Sequence, residues 1–589
     1  MTFPRRDLTR ARVLPALGLC TLLLLTGCTG PGEGGTSPSS SATEGNGTAG
    51  PGGEGPSSGP AQEEPASELD RLLAAGPDDA LRERAAKAVA QMSVEQRAGQ
   101  VLVGQLGAAG TSPEELERLH LGGVIVMGDA VPQTGGQADL DALAEELTAV
   151  QEALRAGRDW SGVVSIDQEG GLVARVKEPL TEWPTPMSYG AALAGQDADE
   201  AVELTADGHR ALAAELVELG FTVDFAPSVD VTIGAEDPVI GARSFGEDPE
   251  AVAELGAAAQ RGLLESGVLG SPKHFPGHGS VDVDSHVTLP EQPLSVAELT
   301  ERDWMPFDRL LEASSGGEAY VPMLMMGHLD VPELDAGVPS SVSAEAYRTL
   351  RGLGGGEAGD GYDGVVVTDA LNMGALVERF GPDEAPVRAL AAGADLLLMP
   401  SSIPGAHAAL VSAVQDGEVP EERLTEAAER VVTMLMWRDA LAGEVASSGS
   451  PREDTAQVSE QVSASAVTVV DGVCDAPLVT DSLQIRGGEE ADRARLTEAA
   501  QEAGLSVGSG PVVTLVGSAR GTGQGDVVVA LDAPFGLAES TASEDGALVA
   551  LYGRTPGAFD ALVDVLTGEA EAPGALPVQV GDWPAGTGC

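Results

Sequence analysis

The chain has 589 residues, of which 42% are hydrophobic and 21% charged, so it is long enough for two or three domains with buried cores and is not typical of a disordered protein. Its 92 Asp and Glu residues outnumber 33 Lys and Arg, which gives a formal net charge of −59 at pH 7. A field of that sign repels DNA, RNA and anionic lipid surfaces, so the composition argues against nucleic acid and membrane surfaces as direct partners.

Residues 1–28 are typical of a bacterial export signal. Arginines at positions 5, 6, 10 and 12 precede the apolar run VLPALGLCTLLLL, which ends in LTGC. The run is shorter than the about 20 apolar residues that a membrane-spanning helix needs. LTGC resembles the lipobox of bacterial lipoproteins. We therefore expect cleavage before Cys28, whose lipid would anchor the exported protein to the outer face of the cytoplasmic membrane.

Composition divides the rest of the chain into segments. Residues 29–68 are mostly Gly, Ser, Pro, Thr and Glu, with too few apolar side chains to form a core, and are predicted to be a flexible tether. Residues 69–440 alternate between strand-like and helix-like patterns and are predicted to be the catalytic domain. A linker is expected over 441–464, followed by a smaller domain over 465–589.

Eight short apolar segments alternate with Ala-, Leu- and Glu-rich helical segments in the predicted catalytic domain. The predicted strands are VLVGQLG (101–107), GGVIVMG (122–128), GVVSID (162–167), FTVDFAP (221–227), GVLGSPKHF (267–275), YVPMLMMGH (320–328), GVVVTDA (364–370) and ADLLLMP (394–400). This alternation predicts a (β/α)8 barrel of the TIM type, with an open, doubly wound sheet as the alternative.

Polar side chains stand where several of these strands end. Asp167 closes the third strand, Lys273 and His274 the fifth, His328 the sixth and Asp369 the seventh. In a closed barrel the carboxyl ends of the strands meet at one face, which is where active sites lie. We therefore expect these side chains to share one pocket.

The second domain carries apolar, β-branched segments separated by Ala-rich ones. They are AVTVVD (466–471), PVVTLVG (511–517), DVVVAL (526–531) and ALVALYG (547–553), and they predict a small α/β sandwich. No strand in the chain leads into a phosphate-binding glycine loop with its lysine, so no cofactor is predicted.

Export also decides how the four cysteines are interpreted. Cys20 would leave with the signal and Cys28 would be acylated, so Cys474 and Cys589 remain. In an oxidising compartment this pair either forms a disulfide, which would close a loop of more than a hundred residues, or stays as two thiols.

The segment KHFPGHGSVDVDSHVTLP, residues 273–290, holds three of the seven histidines and one of the three lysines of the chain. Its proline and glycines exclude a helix, so His274 and His278 are not a helical metal pair. The segment is predicted to be a strand end followed by a glycine-hinged loop that carries Asp284 and His286 over a pocket.

Two groups in this region suggest a reaction. Asp284 stands two residues before His286 and can accept its ring N–H, which fixes the tautomer and leaves the other ring nitrogen to exchange a proton near neutral pH. Across the pocket, Asp369 is a candidate nucleophile. A carboxylate attacking an anomeric carbon while a second group protonates the leaving oxygen is the mechanism of retaining glycosidases.

Several motifs together resemble one enzyme family. They are IDQEGG (166–171), DFAPSVDV (224–231), IGARSFGEDP (240–249), KHFPGHG (273–279), DSH (284–286), MGHLDVPELD (326–335) and VVTDALNMGAL (366–376). Their order and spacing over residues 90–435 resemble the bacterial exo-β-N-acetylglucosaminidases of glycoside hydrolase family 3. The segment 550–578 is similar to the end of that family's second domain.

The resemblance implies a role for each matching residue. Asp369 would be the nucleophile, His286 the general acid and base, and Asp284 its orienting partner. Sugar-binding roles are implied for Asp167, Arg175, Arg243, Lys273 and His274. Family members that act on plain glucosides take their acid from a glutamate of the second domain and lack the histidine loop. The resemblance therefore favours a terminal β-linked N-acetylglucosamine, in a muropeptide or another N-acetylglucosamine oligosaccharide.

Other functions stay open at this point. A phosphorylase or a β-glucosidase would keep the same fold, and a non-catalytic sugar-binding lipoprotein would keep only the pocket. A metal-dependent hydrolase would use His274, His278, Asp284 and His286, although the sequence supplies no second shell for a metal and none is predicted. Glu169 and Leu172 are also noted: Glu169 is expected to have a turn or supporting role, and Leu172 stands where an arginine is frequent in the family.

Overall fold

A computed structural model gives the structure of the protein. It describes residues 67–107, 110–283, 288–316, 319–355, 361–448, 454–474 and 476–589. The predicted export signal with Cys28, almost all of the tether, and Asp284 with His286 lie outside the described residues. No helix within these ranges combines the length and the apolar composition needed to cross a membrane.

The eight predicted barrel strands all form, and they follow one another around the barrel in chain order. They are β1 Leu102–Gln105, β2 Gly123–Val126, β3 Val163–Ile166, β4 Val223–Asp224, β5 Leu269–Gly270, β6 Met323–Met326, β7 Val365–Thr368 and β8 Leu397–Leu398. Their short sequences are mainly apolar and almost wholly buried, as expected of parallel strands covered on both faces.

Parallel pairing closes the ring. Ladders join β8 to β1, β1 through to β5, and β6 to β7. Single parallel bridges complete the circle, from Phe275 beyond β5 to Met326 of β6 and from Val367 of β7 to Leu396 before β8. The predicted (β/α)8 barrel is therefore confirmed, and the open-sheet alternative is wrong.

Helices surround the barrel and precede it. They are α1 Glu68–Ala75, α2 Asp79–Val89, α3 Val94–Gln100, α4 Pro113–Leu119, α5 Leu140–Leu154, α6 Met187–Gly195, α7 Ala198–Leu219, α8 Pro249–Glu265, α9 Val296–Glu301, α10 Met305–Gly316, α11 Pro332–Asp335, α12 Ala344–Arg351, α13 Gly374–Phe380, α14 Glu384–Ala392, α15 Ile403–Gln415 and α16 Glu421–Ser448. Local sequence starts several of them. At α3, for example, Ser93 and Gln96 form a reciprocal capping box.

Two short antiparallel hairpins project from the carboxyl ends of the barrel strands. One pairs Gln133–Thr134 with Gln137–Ala138, after β2. The other pairs Gln168–Gly170 with Val173–Ala174, directly after β3. The second hairpin therefore carries the IDQEGG motif to the predicted active-site face.

The predicted linker, 441–464, is largely helical where the structure describes it. Helix α16 continues to Ser448, and a further helix, α17 Thr455–Ala466, packs against α6, α7 and the helix Pro556–Thr567 of the second domain. Asp454 caps α17 by accepting a hydrogen bond from the Gln457 backbone. The chain thus passes from the barrel to the second domain along packed helices.

The second domain is built on a five-stranded sheet. Its elements are β9 Thr468–Gly472, β10 Ser482–Gly487, α18 Glu490–Glu502, β11 Ser506–Val516, β12 Gln524–Ala530, β13 Thr541–Ala550 and α19 Pro556–Thr567. The sheet order is β9-β13-β12-β11-β10, parallel except for β9. One face packs on α18 and α19, and the other contacts α6 of the barrel, so the predicted sandwich is confirmed.

A disulfide joins Cys474 to Cys589. The Cα atoms are 5.8 Å apart and the cysteines are 115 residues apart in the chain. In the chain-entropy description, closing a loop of that length stabilises the folded state by about 5 kcal/mol. The bond ties the end of β9 to the last residue of the chain.

An ion cluster closes the amino-terminal end of the barrel. Asp395, just before β8, is fully buried, and its carboxylate binds the guanidinium groups of Arg351, Arg423 and Arg430. Burial raises the pKa of Asp395, but the three arginines outweigh it and hold that pKa below its ordinary value. This cluster stabilises the end of the barrel opposite to the predicted active site.

Candidate active site

The carboxyl ends of the barrel strands bring the predicted residues together. Asp167 directly follows β3, Lys273 follows β5, and the ammonium of Lys273 lies 3.1 Å from a carboxylate oxygen of Asp167. His328 follows β6 and Asp369 follows β7. Phe275, next to His274, donates to the Met325 carbonyl at 2.9 Å, and the Asp369 backbone donates to the Met326 carbonyl at 2.8 Å, which places these groups at one face of the barrel.

Five charged residues form a continuous chain of ion pairs across this face. Lys273 Nζ lies 3.1 Å from Asp167 Oδ1 and 2.5 Å from Glu169 Oε1. Arg175 Nη2 lies 3.1 Å from Asp167 Oδ2. Arg243 binds Glu169 with two parallel bonds, Nη2 to Oε1 at 2.8 Å and Nε to Oε2 at 2.9 Å. The network fixes four of the five predicted sugar-binding residues relative to one another.

Glu169 joins two cations of this network, and sequence reasoning understated it. Its side chain is 1% exposed, between Arg243 and Lys273. Burial raises the pKa of Glu169, but the two cations outweigh burial and hold the pKa well below its usual range. The spacing in DQEGG gave a usable signal, because Asp167 and Glu169 are two residues apart and project together from an extended segment.

His274 is held by a buried aspartate. Its Nδ1 lies 2.6 Å from Asp230 Oδ2, and Asp230 Oδ1 accepts hydrogen bonds from the backbone N–H groups of His274 and His278. Burial raises the pKa of Asp230, but His274 and these bonds lower it to about 2, so the group is a carboxylate. It orients the imidazole through Nδ1 and leaves Nε2 for a substrate hydroxyl. Asp230 lies in the quoted DFAPSVDV motif but was not predicted as a site residue.

Asp369 has the properties of a nucleophile. Its Oδ1 accepts a 2.6 Å hydrogen bond from the Ala370 backbone, and within the described part of the chain Oδ2 has no hydrogen-bond partner. Burial raises the pKa of Asp369, but His328, His274, the Ala370 N–H and Lys273 outweigh burial and lower it. The carboxylate is therefore ionised at neutral pH, as the predicted role of nucleophile requires.

His328 supports the nucleophile segment from the side. Its Nε2 lies 3.1 Å from the Ala370 carbonyl oxygen, and its Nδ1 lies 2.7 Å from the Ser341 hydroxyl. The imidazole is fully buried. His328 thus positions the residue that follows Asp369.

The sequence of the barrel matches a known family. Residues 93–434 match the profile of the glycosyl hydrolase family 3 N-terminal domain. The chain belongs to glycoside hydrolase family 3. The family predicted from the motifs is therefore confirmed, and with it the enzyme class, a glycoside hydrolase.

Relatives within family 3 include two curated proteins. Beta-hexosaminidase A of Pseudoalteromonas piscicida is 33% identical over 340 residues, which are 54% of this chain and 54% of that protein. Beta-hexosaminidase LpqI of Mycobacterium tuberculosis is 34% identical over 351 residues, 59% of this chain and 83% of LpqI. The chain thus aligns with about half of the first relative and most of the second.

A solved family 3 structure extends the similarity to the second domain. A β-N-acetylglucosaminidase from Paenibacillus sp. str. FPU-7 superposes with a TM-score of 0.69 and 26% identity. The superposition covers 82% of this chain and 98% of that one. Its extent shows that barrel and second domain follow the two-domain family 3 architecture.

The loop predicted to carry the acid/base pair of this family 3 enzyme is described at its two ends. Gly277 has a φ of +107°, and a Cβ at Gly279 would lie 2.2 Å from a backbone oxygen, so both positions require glycine. Trp304 Nε1 donates to the Pro276 carbonyl, and Gln292 donates to the Gly277 carbonyl. The roles of Asp284 and His286 stay predictions.

The second domain contacts both barrel segments that carry the arginines predicted to bind sugar. After the hairpin that holds Arg175, the Thr185 backbone N–H donates to the Tyr552 carbonyl at 2.8 Å. After Arg243, the Glu247 carboxylate accepts a 2.9 Å bond from the Gln579 backbone. The second domain therefore holds the ends of both segments.

In the described parts of the chain, no three His, Cys, Asp or Glu side chains are arranged to hold a metal ion. The rings of His274 and His278 lie 5.9 Å apart, and Asp230 binds both backbones and the His274 ring. His209, a further buried histidine, bonds within α7 to the Thr205 carbonyl and takes no part in the site. Asp230 thus fixes the orientation of the His274 ring.

Proposed function

We propose that the protein is a retaining exo-β-N-acetylglucosaminidase that removes terminal β-linked N-acetylglucosamine from peptidoglycan fragments. The observation that carries the proposal is an ionised Asp369 with a free oxygen, on the same barrel face as a fixed array of sugar-binding charges. The two curated relatives are beta-hexosaminidases and the Paenibacillus enzyme is a β-N-acetylglucosaminidase, which supports a hexosamine substrate and, among these, N-acetylglucosamine.

The reaction follows from these groups. Asp369 Oδ2 attacks the anomeric carbon while His286 protonates the glycosidic oxygen, so the C1–O bond breaks and a glycosyl ester forms on Asp369. His286 then takes a proton from water, the water oxygen attacks C1, and Asp369 leaves as a carboxylate. Asp167, Arg175, Lys273 and His274 have the charge and hydrogen-bonding capacity to bind the sugar hydroxyls.

Hydrolysis of p-nitrophenyl β-N-acetylglucosaminide tests this function. We expect release of N-acetylglucosamine, unaffected by EDTA, with kcat/KM exceeding that for the matching glucoside by more than about tenfold. Added phosphate should not produce a sugar 1-phosphate; if it does, the enzyme is a phosphorylase. Preference for the glucoside would contradict the substrate assignment. A muropeptide and a chitin disaccharide, compared at equal concentration, then distinguish the natural leaving groups.

We also propose that the protein is exported and anchored by a lipid on Cys28, which would place it beside the cell wall. The export-signal pattern and the LTGC sequence support this location. In an expressing bacterium fed labelled palmitate, the wild type should carry label and sediment with membranes, whereas Cys28→Ala should lose both properties. Equal labelling of the two proteins would contradict the anchor.

A further inference from the structure

A buried aspartate outside the proposed reaction lies beside the sugar-binding hairpin. Asp224 is the last residue of β4 and is fully buried. Its Oδ1 accepts a 2.9 Å hydrogen bond from the backbone N–H of Gln168. Its other oxygen, Oδ2, has no hydrogen-bond partner among the described residues. A buried acid with one oxygen unpartnered is costly unless it has a purpose or carries a proton.

Gln168 is the residue that shapes the hairpin. It stands between Asp167 and Glu169, the two carboxylates that share Lys273. Its side-chain amide accepts a hydrogen bond from the Arg175 backbone at 2.8 Å and donates one to the Val176 carbonyl at 2.8 Å. Asp224 therefore contacts the residue that lies between the two carboxylates and closes the hairpin at Arg175.

The charges around Asp224 disfavour its ionised form. Burial raises the pKa of Asp224 to about 7; the carboxylates of Asp167 and Glu169 add to this rise, while the Gln168 N–H and Lys273 oppose it. The pKa of Glu169 is instead held below its ordinary value. Asp224 is thus the acid of this cluster that changes charge in the neutral range.

We propose that Asp224 is a positioning residue for sugar binding: as a neutral acid it holds the hairpin, and its ionisation weakens the site. An ionised Asp224 would keep the Gln168 hydrogen bond, but it would compete with Asp167 and Glu169 for Lys273, the cation that joins them. The inference rests on the proposed function only in taking N-acetylglucosamine as the ligand.

The test compares the wild type with Asp224→Asn, which keeps an acceptor for Gln168 but cannot ionise. The Kd of N-acetylglucosamine is measured by calorimetry between pH 6 and 8, together with kcat and KM for the aryl glycoside. For the wild type we expect Kd and KM to rise about tenfold over this range, because only the protonated site binds well. Asp224→Asn should bind the sugar as the wild type does at pH 6 and show no such rise.

The inference is overturned if the pH dependence of Kd is the same in both proteins, or if Asp224→Asn at pH 6 already has the Kd that the wild type has at pH 8. A fall in kcat with rising pH at constant KM would also contradict the inference, because that pH dependence would come from the acid/base group and not from sugar binding. If sugar binds to neither protein at any pH, the proposed function fails together with the inference, whereas binding with a constant Kd leaves the function and removes only the inference.

A second measurement tests the protonation of Asp224 without any sugar. Because the pKa of Asp224 is raised, between about pH 4 and pH 7 the native state keeps a proton on this group that the unfolded state has lost. Wild-type stability should therefore fall relative to that of Asp224→Asn as the pH rises through this window, in denaturant unfolding of the full chain. A constant difference between the two proteins would show that Asp224 is ionised throughout.

Discussion

Replacing Asp369 by glycine should lower kcat/KM for p-nitrophenyl β-N-acetylglucosaminide by about 10⁴-fold or more, because the covalent intermediate loses its only carboxylate. Glycine is chosen because it leaves space at the attacking position. Thermal unfolding of the variant serves as the control, because a variant that keeps a cooperative transition above the assay temperature has lost the reaction and not the fold. A variant with wild-type activity would contradict the assignment of the nucleophile.

Azide distinguishes the nucleophile from the acid/base group. In Asp369→Gly, azide would attack the anomeric carbon from the side that the carboxylate occupied, displace nitrophenolate and form the α-glycosyl azide. In His286→Ala, Asp369 would still form the ester with this activated substrate, and azide would then displace Asp369 from the opposite side to give the β-glycosyl azide. NMR of the two products reads the configuration directly. A β-glycosyl azide from Asp369→Gly would show that Asp369 is the acid/base group and not the nucleophile.

The barrel could be predicted from sequence because its strands are buried on both faces. GVVVTDA and GGVIVMG are continuous apolar segments followed by a polar residue or a glycine, a pattern that parallel strands produce and amphipathic helices do not. Strand β10, with the sequence SLQIRG, escaped prediction because it lies at the sheet edge and half its side chains are polar. Helix α17, within the predicted linker, was not predicted because its sequence is rich in Ser and Gln, so tertiary packing decides its structure.

The site was predictable in its members but not in its pairings. Asp167, Lys273 and Asp369 stand at strand ends, so their shared face follows from the barrel. The partner of Arg243 does not follow, because Glu169 is 74 residues away in sequence and only the folded hairpin brings it within 2.8 Å. Asp230 and Asp224 were missed for the same reason: a carboxylate near a strand end has the same sequence signature whether it binds a sugar, a histidine or a backbone amide.

The pairings explain how the pocket holds cations in a chain with very few lysines. Lys273 is 2% exposed, and burial alone would lower its pKa, yet Glu169 and Asp167 raise it. At this site, two carboxylates of the acidic chain therefore keep a buried ammonium charged. A substrate hydroxyl then meets fixed charges that need no rearrangement before binding.

Glu169→Gln should show the cost of removing that compensation. The substitution keeps the shape but leaves the Arg243 guanidinium and the buried Lys273 ammonium facing a neutral amide, so we expect the free energy of unfolding to fall by about 3–5 kcal/mol. Because both cations are predicted to bind the sugar, their displacement should also lower kcat/KM by about 100-fold. Denaturant unfolding and steady-state kinetics at 25 °C measure the two effects on the same preparation.

Asp395→Asn is the matched control, because it removes an equally buried carboxylate from an arginine cluster at the other end of the barrel. It should cost a similar unfolding free energy and leave kcat/KM unchanged, so a loss of activity in both variants would mean that instability alone is being measured. The pH dependence of stability isolates the contribution of the Glu169 ion pairs. The pKa of Glu169 lies below the ordinary value of 4.5, so the stabilising effect of its carboxylate is complete above about pH 4.5 and is lost as the pH falls. Wild type should therefore lose more stability on acidification than Glu169→Gln, and parallel acid profiles would show that the Glu169 ion pairs contribute nothing.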